Sequence, residues 1–369
     1  MDNFEKKKLI EIYRMSLDEL NRYYRYLRKY EFENNKPLES SELKKRIHKL
    51  TMLVLKIDRL FSRRELEIFD DKRGDYKNIG KGKVYAASHV GRYDIESCME
   101  AIDDQAYFVM GDAEETYRNF EGLFLDKMHG RICVDTGYQQ FENMQKLKNG
   151  EDVSLEDRKL IDEYKTDRHI CQEVCENRIK NKDNILIYPE GAWNITPRLT
   201  QKLFPGAAKM AVNGDGVIVP IGVIRDKRKY TVNIGSPINI EGATLSDVDD
   251  ITELLQERLS SLKGEIIFSD NRIITPRNSM GSFDEVYQKF VDDIMSETTN
   301  GYTKEVIENS RYYDKDAPEN VFKIYKKTLK WCETYLVDII KKTRTLKREK
   351  WSVTFLFLCK FFSFAFSCL

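Results

Sequence analysis

The chain has 369 residues, of which 41% are hydrophobic, and this length is enough for one large domain with helical additions. Lys and Arg together number 61, as do Asp and Glu, so the overall charge gives no reason to expect a nucleic-acid partner. The seven cysteines are odd in number and scattered, and the N-terminus, Met-Asp-Asn-Phe-Glu-Lys-Lys-Lys, lacks the apolar core of a signal peptide. These features argue against a small disulfide scaffold and favour a reducing cytoplasm.

The N-terminal segment has the apolar spacing of helices. From Phe4 to about Leu66, leucine, isoleucine and tyrosine recur at steps of three and four residues. The run Asn34-Asn-Lys-Pro37 interrupts this pattern, and Ser40 or Ser41 can cap a second helix. Residues 1–80 are therefore predicted to form an N-terminal helical hairpin.

After Gly80-Lys-Gly82, short apolar runs alternate with longer polar, helix-like stretches. The runs are Val84-Ala87, Ala106-Met110, Ile132-Val134, Ile185-Tyr188, Val217-Val223 and Tyr230-Ile234. Such alternation predicts an α/β domain over residues 81–264, with a mixed, largely parallel sheet flanked by helices. Helical spacing then returns over residues 265–350, which we predict to be a C-terminal helical region.

The last segment, residues 351–369, is almost wholly apolar and follows a basic run over residues 341–350. At about twenty residues it reaches membrane-spanning length, but Lys360 at its middle would cost roughly 2.5–3.5 kcal/mol on insertion scales. We expect a possible membrane anchor, peripheral or tail-anchored at the cytoplasmic face. The alternatives are a tail docked on the protein's own core and a sequence end altered by a shifted reading frame.

A candidate catalytic pair follows the first apolar run, in the stretch Ser88-His-Val-Gly-Arg-Tyr-Asp94. Ligands of α/β folds bind at the carboxyl ends of strands, where His89 is predicted to lie. Asp94 falls near the first turn of the next helix, from which its carboxylate can reach back to the imidazole. An aspartate in this position orients a histidine that acts as a general base. Metal ligation is the rival use of this pair, but no further histidine stands in a recognisable metal spacing.

Three further stretches carry signals of a site. Ile185-Leu-Ile-Tyr-Pro-Glu-Gly191 is a buried-type strand that ends in Pro-Glu-Gly, although a structural turn would give the same pattern. Val217-Ile-Val-Pro-Ile-Gly-Val223 contains a proline that should require a bulge or an edge position. Gly130-Arg-Ile-Cys-Val-Asp-Thr136 is a strand with Arg131 at its start and Asp135 at its end. No Gly-x-Ser-x-Gly motif supplies an enzyme nucleophile, which leaves a substrate as the expected source of the attacking hydroxyl.

In order and spacing, these four stretches resemble the four motifs of the glycerolipid acyltransferase family, which includes the lysophosphatidic acid and other lysophospholipid acyltransferases. The resemblance covers about Gly82 to Ser236. It implies an α/β acyltransferase fold and identifies His89 and Asp94 as the family's His-x4-Asp motif. His89 would be the general base and Asp94 its orienting partner.

The resemblance also implies the reaction: transfer of a fatty acyl group from an acyl thioester to a lysophospholipid hydroxyl, as from lysophosphatidic acid to phosphatidic acid. The donor would be acyl-CoA or acyl-carrier protein as a co-substrate, with no bound cofactor and no metal. A membrane surface is the expected further partner. Backbone amides near Gly91 or Gly191 would stabilise the oxyanion.

Two arginines of the family motifs are replaced here, by Thr136 in the second motif and by Trp193 in the third. The acceptor-binding candidates are therefore Arg92, Arg131, Glu190, Gly191 and Trp193, and Lys202 or Lys209 offers a further cation. Three alternatives stay open. They are a non-phosphorylated acceptor such as a glycolipid, a thioester hydrolase, and a non-catalytic membrane-binding module.

Overall fold

In a computed structural model of the chain, the described residues are 9–35, 41–70, 73–91, 93–111, 126, 129–134, 140–191, 194, 200–226 and 228–269. The predicted C-terminal helical region beyond residue 269 and the apolar tail at 351–369 lie outside the described residues.

Helices and strands alternate through most of the described chain. The helices are α1 (Leu9–Arg14), α2 (Leu17–Asn34), α3 (Ser41–Arg46), α4 (His48–Ser62), α5 (Arg73–Lys77), α6 (Asp94–Ile102), α7 (Phe141–Lys148), α8 (Leu155–Lys180), α9 (Gly206–Asn213) and α10 (Val248–Ser269), with a short 3-10 turn at Leu245–Asp247. The strands are β1 (Glu65–Asp70), β2 (Lys83–Ala87), β3 (Tyr107–Met110), β4 (Arg131–Cys133), β5 (Ile185–Ile187), β6 (Val217–Asp226) and β7 (Lys229–Ile234).

The seven strands form one sheet in the order β1-β7-β6-β2-β5-β3-β4. All neighbouring pairs are parallel except β6 and β7, which are antiparallel and joined by a short turn. The predicted mixed, largely parallel sheet flanked by helices is confirmed. The six apolar runs of the sequence correspond to β2 through β7.

Both faces of the sheet are buried along its central strand β2, which explains why that strand has an apolar run instead of alternating polar and apolar residues. Along β2, Tyr85 and Ala87 belong to a core cluster that includes residues of α4 and α6. Val84 and Ala86 point to the other face, into a cluster that includes residues of α8, α9 and α10. The strand period of two therefore divides the core into two layers.

The N-terminal segment differs from the predicted hairpin over residues 1–80. Its described residues form five helices, α1 to α5, and the strand β1 between α4 and α5, which pairs with β7 and extends the sheet to Glu65. The sheet therefore begins before the boundary predicted at residue 81. Sequence patterning missed β1 because its short run, Glu-Leu-Glu-Ile-Phe-Asp, carries three acidic residues.

The prediction that Pro220 requires a bulge or an edge position was wrong. Pro220 lies within β6, between β2 and β7, and is paired in register with Ala86. The backbone oxygen of Ile221 accepts the Ser88 amide, so alternate residues of β6 bond to β2 and Pro220 faces the other side. On that side the β7 ladder starts only at Ile221, so no regular ladder bond needs the missing proline N–H.

Gly82 packs directly against the backbone at the end of α8. A Cβ at Gly82 would lie 2.4 Å from the backbone oxygen of Ile179 and 2.8 Å from that of Asp183. We expect Gly82→Ala to lower the free energy of unfolding by about 1–3 kcal/mol, because neither backbone oxygen can move without disturbing the helix end. Urea denaturation measures this loss. Gly80→Ala is the matched control, since nothing lies within 4 Å of a Cβ there, and an equal loss in both variants would contradict the packing argument.

His129 is fully buried, and this burial, with His48 and Lys44 nearby, lowers the pKa of its imidazole to about 3. The folded pKa is below the unfolded value of 6.5, so as the pH falls the unfolded chain takes up a proton first. Stability should therefore be lost progressively between about pH 6.5 and pH 3, by about 5 kcal/mol from this group.

We expect His129→Leu to flatten the dependence of unfolding free energy on pH in that window, as measured by urea denaturation at a series of pH values. His169→Leu is the control, because His169 is exposed on α8. A His129→Leu variant with the same acid sensitivity as the parent protein would refute this assignment.

Candidate active site

Three polar side chains converge at the carboxyl edge of β2 and β5. His89 follows β2, Asp94 is the first residue of α6, and Glu190 follows β5 after the Tyr188-Pro189 step. Because β2 and β5 are adjacent and parallel, both strand ends open at the same edge of the sheet. The fold thus brings together the first and third motifs of the sequence, which are about a hundred residues apart.

Asp94 is completely buried, and one of its carboxylate oxygens holds the loop that carries His89. Oδ2 accepts a hydrogen bond from the His89 ring at Nδ1 (2.8 Å), and it also accepts the backbone amides of Val90 (2.6 Å) and Gly91 (2.9 Å). Because Oδ2 accepts two backbone amides, it acts as an acceptor towards the ring as well, so Nδ1 is the ring donor. The tautomer that fits this contact has its lone pair on Nε2.

Glu190 is also completely buried and connects three segments of the chain. Its Oε1 accepts the backbone amide of His89 at 3.0 Å, and its Oε2 accepts the backbone amide of Gln201 at 2.9 Å. Burial raises the pKa of Glu190 above its ordinary value, while Lys263 and these two amides act in the opposite direction. The Glu190 side chain therefore links the backbone at His89 to the backbone at Gln201.

The His89 ring lies against Tyr188, with ring centroids 4.5 Å apart and planes inclined by 30°. Its side chain keeps 19% of its surface exposed, whereas Asp94 has none. The histidine is thus held by Asp94 through one ring nitrogen and packed on one face, and its exposed part can be reached from outside. The structure thus places His89 and Asp94 in contact, as their spacing predicts, while the role of His89 as a general base stays a prediction.

The two backbone amides suggested for the oxyanion are already engaged within the protein. The Gly91 amide donates to Asp94, and the Gly191 amide donates to the backbone oxygen of Tyr188 at 2.9 Å. Gly191 has a φ of +70°, and a Cβ there would lie 2.7 Å from the Phe204 ring, so glycine is required for the turn. The contacts of Gly191 within the described part of the chain therefore stabilise the Pro-Glu-Gly turn.

Arg131 lies apart from this group. Its strand, β4, is separated from β2 by β5 and β3, which corresponds to roughly 14 Å across the sheet. Its guanidinium donates to the backbone oxygen of Gly111, lies 4.0 Å from Asp126, and stacks over the Tyr24 ring at 4.8 Å. These internal contacts do not favour the acceptor-binding role predicted for Arg131. Arg92 and Trp193, with Thr136, lie outside the described residues.

Two cations near the pair were not predicted from the sequence. Arg225, at the end of β6, is exposed, and a Cβ at Gly91 would lie 2.5 Å from its Nη1. Lys263, on α10, is buried with 2% of its surface exposed and interacts electrostatically with Glu190 and Asp94. Neither residue belongs to a motif, and only the folding of β6 and α10 onto β2 brings them to the site.

The described residues contain neither a candidate membrane-spanning helix nor a candidate metal cluster. Within that part of the chain, no helix combines the length and the apolar character needed to cross a membrane. The same residues contain no group of three or more His, Cys, Asp or Glu side chains placed to hold a metal ion.

Comparison with known proteins identifies the class. Residues 71–224 match the family model described as Acyltransferase, and this range contains all four motifs. The chain therefore carries an acyltransferase domain, in agreement with the resemblance of its motifs to those of the glycerolipid acyltransferases.

Among solved structures, the crystal structure of the 1-acyl-sn-glycerophosphate (LPA) acyltransferase PlsC from Thermotoga maritima is similar to this chain with a TM-score of 0.41 and 11% sequence identity. The alignment covers 67% of this chain and 97% of that chain. A comparison with curated proteins gives no significant match.

Proposed function

We propose that this acyltransferase moves a fatty acyl group from an acyl thioester to the hydroxyl of a lysophospholipid, with His89 as the general base. The observation that carries the proposal is the oriented, partly exposed histidine beside a buried aspartate, within a domain of the acyltransferase family. The motif resemblance supports the substrate class, because lysophospholipids are the acceptors of the family that these motifs resemble.

In the proposed reaction, Nε2 of His89 takes the proton of the acceptor hydroxyl as its oxygen attacks the thioester carbonyl carbon. The carbon–sulfur bond then breaks, and the imidazolium returns the proton to the departing thiolate. Asp94 stabilises the imidazolium through its bond to Nδ1, and its burial strengthens that interaction. No covalent acyl-enzyme is required, which agrees with the absence of a Gly-x-Ser-x-Gly motif from the sequence.

Arg225 is our candidate for holding the acceptor's phosphate in place of the missing motif arginines. β2 and β6 are parallel neighbours, and Val223 donates its amide to Ser88 Oγ at 2.8 Å, so the end of β6 runs beside the His89 loop. Arg225 follows two residues later, exposed and adjacent to Gly91. A guanidinium there would meet a phosphate close to the base by charge-assisted hydrogen bonds.

One observation favours a second candidate, transfer to a non-phosphorylated acceptor such as a glycolipid. Arg131, the arginine within the second motif, is taken up by contacts inside the protein. The choice of acceptor therefore depends on cations outside the family motifs.

We also propose that the protein works at a cytoplasmic membrane surface, where its substrates are found. On α4, Leu53 and Leu60 are 53% and 77% exposed and lie seven residues apart, on one face of the helix. Lys49, Lys56 and Arg63 are exposed at intervening or flanking positions with helical spacing. An apolar stripe with basic neighbours suits an anionic lipid surface.

We expect His89→Ala to reduce acyl transfer about 10²–10⁴-fold, because the acceptor hydroxyl loses its base. The measurement uses purified protein, an acyl-CoA with a labelled acyl chain, and lysophosphatidic acid, and follows both thioester loss and labelled phosphatidic acid. His48→Ala is a matched control, since His48 also pairs with an aspartate, Asp103, at 3.2 Å, but at the far end of α6. Thioester loss without acceptor would instead indicate a hydrolase, and unchanged transfer in His89→Ala would refute the mechanism.

We expect Arg225→Gln to lower kcat/KM about 10- to 100-fold for lysophosphatidic acid and to leave transfer to a neutral monoacylglycerol unchanged, because only the former has a phosphate. Both acceptors are compared under the same donor concentration. Arg228→Gln is the control, an exposed arginine in the turn after β6. An equal loss with both acceptors would show that Arg225 does not recognise phosphate.

A further inference from the structure

Lys263 is a buried cation beside the catalytic group, and the proposed reaction does not use it. Its side chain is 2% exposed and is among the largest fully buried side chains in the described part of the chain. Burying an ammonium group is costly unless negative charges lie close to it. Its burial lowers the pKa of Lys263, and Glu190 and Asp94 act in the opposite direction.

The position of α10 explains how Lys263 reaches this place. Asn233 of β7 donates to the backbone oxygen of Leu262 at 3.1 Å and to Glu265 Oε2 at 2.9 Å, which fixes the helix on the sheet. At Gly222 in β6 the helix comes so close that a Cβ would lie 2.9 Å from the Lys263 backbone nitrogen. The next residue, Val223, bonds to Ser88, so Lys263 enters the core at the level of the His89 loop.

The charges around this point come from several elements. Glu190 follows β5, and Asp94 and the buried Glu96 lie in the first turn of α6. Glu265 lies on α10 itself and accepts a hydrogen bond from Asn233 of β7. His89 and the exposed Arg225 complete the set. Of these, the groups that act on Lys263 are Glu190 and Asp94, the two carboxylates that hold His89.

We propose that Lys263 is a positioning residue of the active site. Its ammonium group is the shared counter-ion of Glu190 and Asp94, the two acidic side chains that hold the backbone and the ring of His89. The buried lysine thus allows the two anions to lie together without accumulating a charge that the protein interior would not tolerate.

The inference rests on the proposed function only for its effect on the rate, and its effect on folding can be measured separately. In Lys263→Met, Glu190 loses its counter-ion while it stays buried, so its pKa in the folded protein should rise further. The folded protein would then retain a proton that the unfolded chain releases, and stability would fall as the pH rises from about 4.5 towards neutrality.

The first test is urea denaturation of the full chain between pH 5 and pH 8. We expect Lys263→Met to lose stability steeply with rising pH, and we expect the double variant Lys263→Met/Glu190→Gln to recover much of it, because a cation and an anion are removed together. Leu262→Ala is the matched control, a neighbouring buried residue on the same helix whose loss should not depend on pH.

The second test is the pH dependence of kcat/KM for acyl transfer. In Lys263→Met the acidic limb should move to higher pH by about one unit, because the group that holds His89 must first lose a proton. Leu262→Ala should leave the limb in place. A wild-type protein without transferase activity would refute the proposed function, while the stability test would still decide the role of Lys263.

Two results would overturn the inference. One is a Lys263→Met variant that loses stability equally at every pH, as Leu262→Ala should, because the side chain would then contribute packing alone. The other is a double variant, Lys263→Met/Glu190→Gln, whose free energy of unfolding is no higher than that of Lys263→Met. This result would count in the same way if neither variant folds. Either would show that the charge of Lys263 does not compensate that of Glu190.

Discussion

The site depends on one buried carboxylate, Glu190, which joins parts of the chain that the sequence keeps far apart. Its two oxygens accept the amides of His89, after β2, and of Gln201, before α9. A carboxylate away from water requires such donors, and amides at strand ends require acceptors, so each satisfies the other. The position of the His89 backbone is therefore determined by the folding of the whole sheet.

Asp94 does the same for the side chain of His89. Because one oxygen of Asp94 binds the ring and two successive amides, the tautomer of the ring and the shape of the loop are set by one group. The two acidic side chains are buried while the histidine is partly exposed, so they act through a medium of low dielectric constant and the ring can still be reached from outside. This preorganisation has a cost, and the proximity of Lys263 indicates how the fold offsets it.

Much of this arrangement was predictable from sequence because it depends on local patterns. Apolar runs predicted six of the seven strands, since strands buried on both faces need apolar residues at every position. The His-x4-Asp spacing predicted the pair, since an aspartate at the start of a helix can reach back to a histidine at the preceding strand end. Two features were not predicted, and each has a physical cause. The strand β1 is short and acidic, so it has no apolar run. Pro220 is tolerated inside β6 because its missing N–H faces the side where the β7 ladder has ended.

The sequence by itself determined the class of fold, the resemblance to acyltransferases and the contact between His89 and Asp94, because these depend on residue types at short spacings. Only the tertiary structure decided which charges surround them. Arg131 belongs to a motif yet lies three strands away among internal partners, whereas Arg225 and Lys263 belong to no motif yet approach the site. Their distances to His89 depend on the sheet order and on the packing of α10 against β6. Such contacts join residues more than a hundred positions apart, and no local pattern records them.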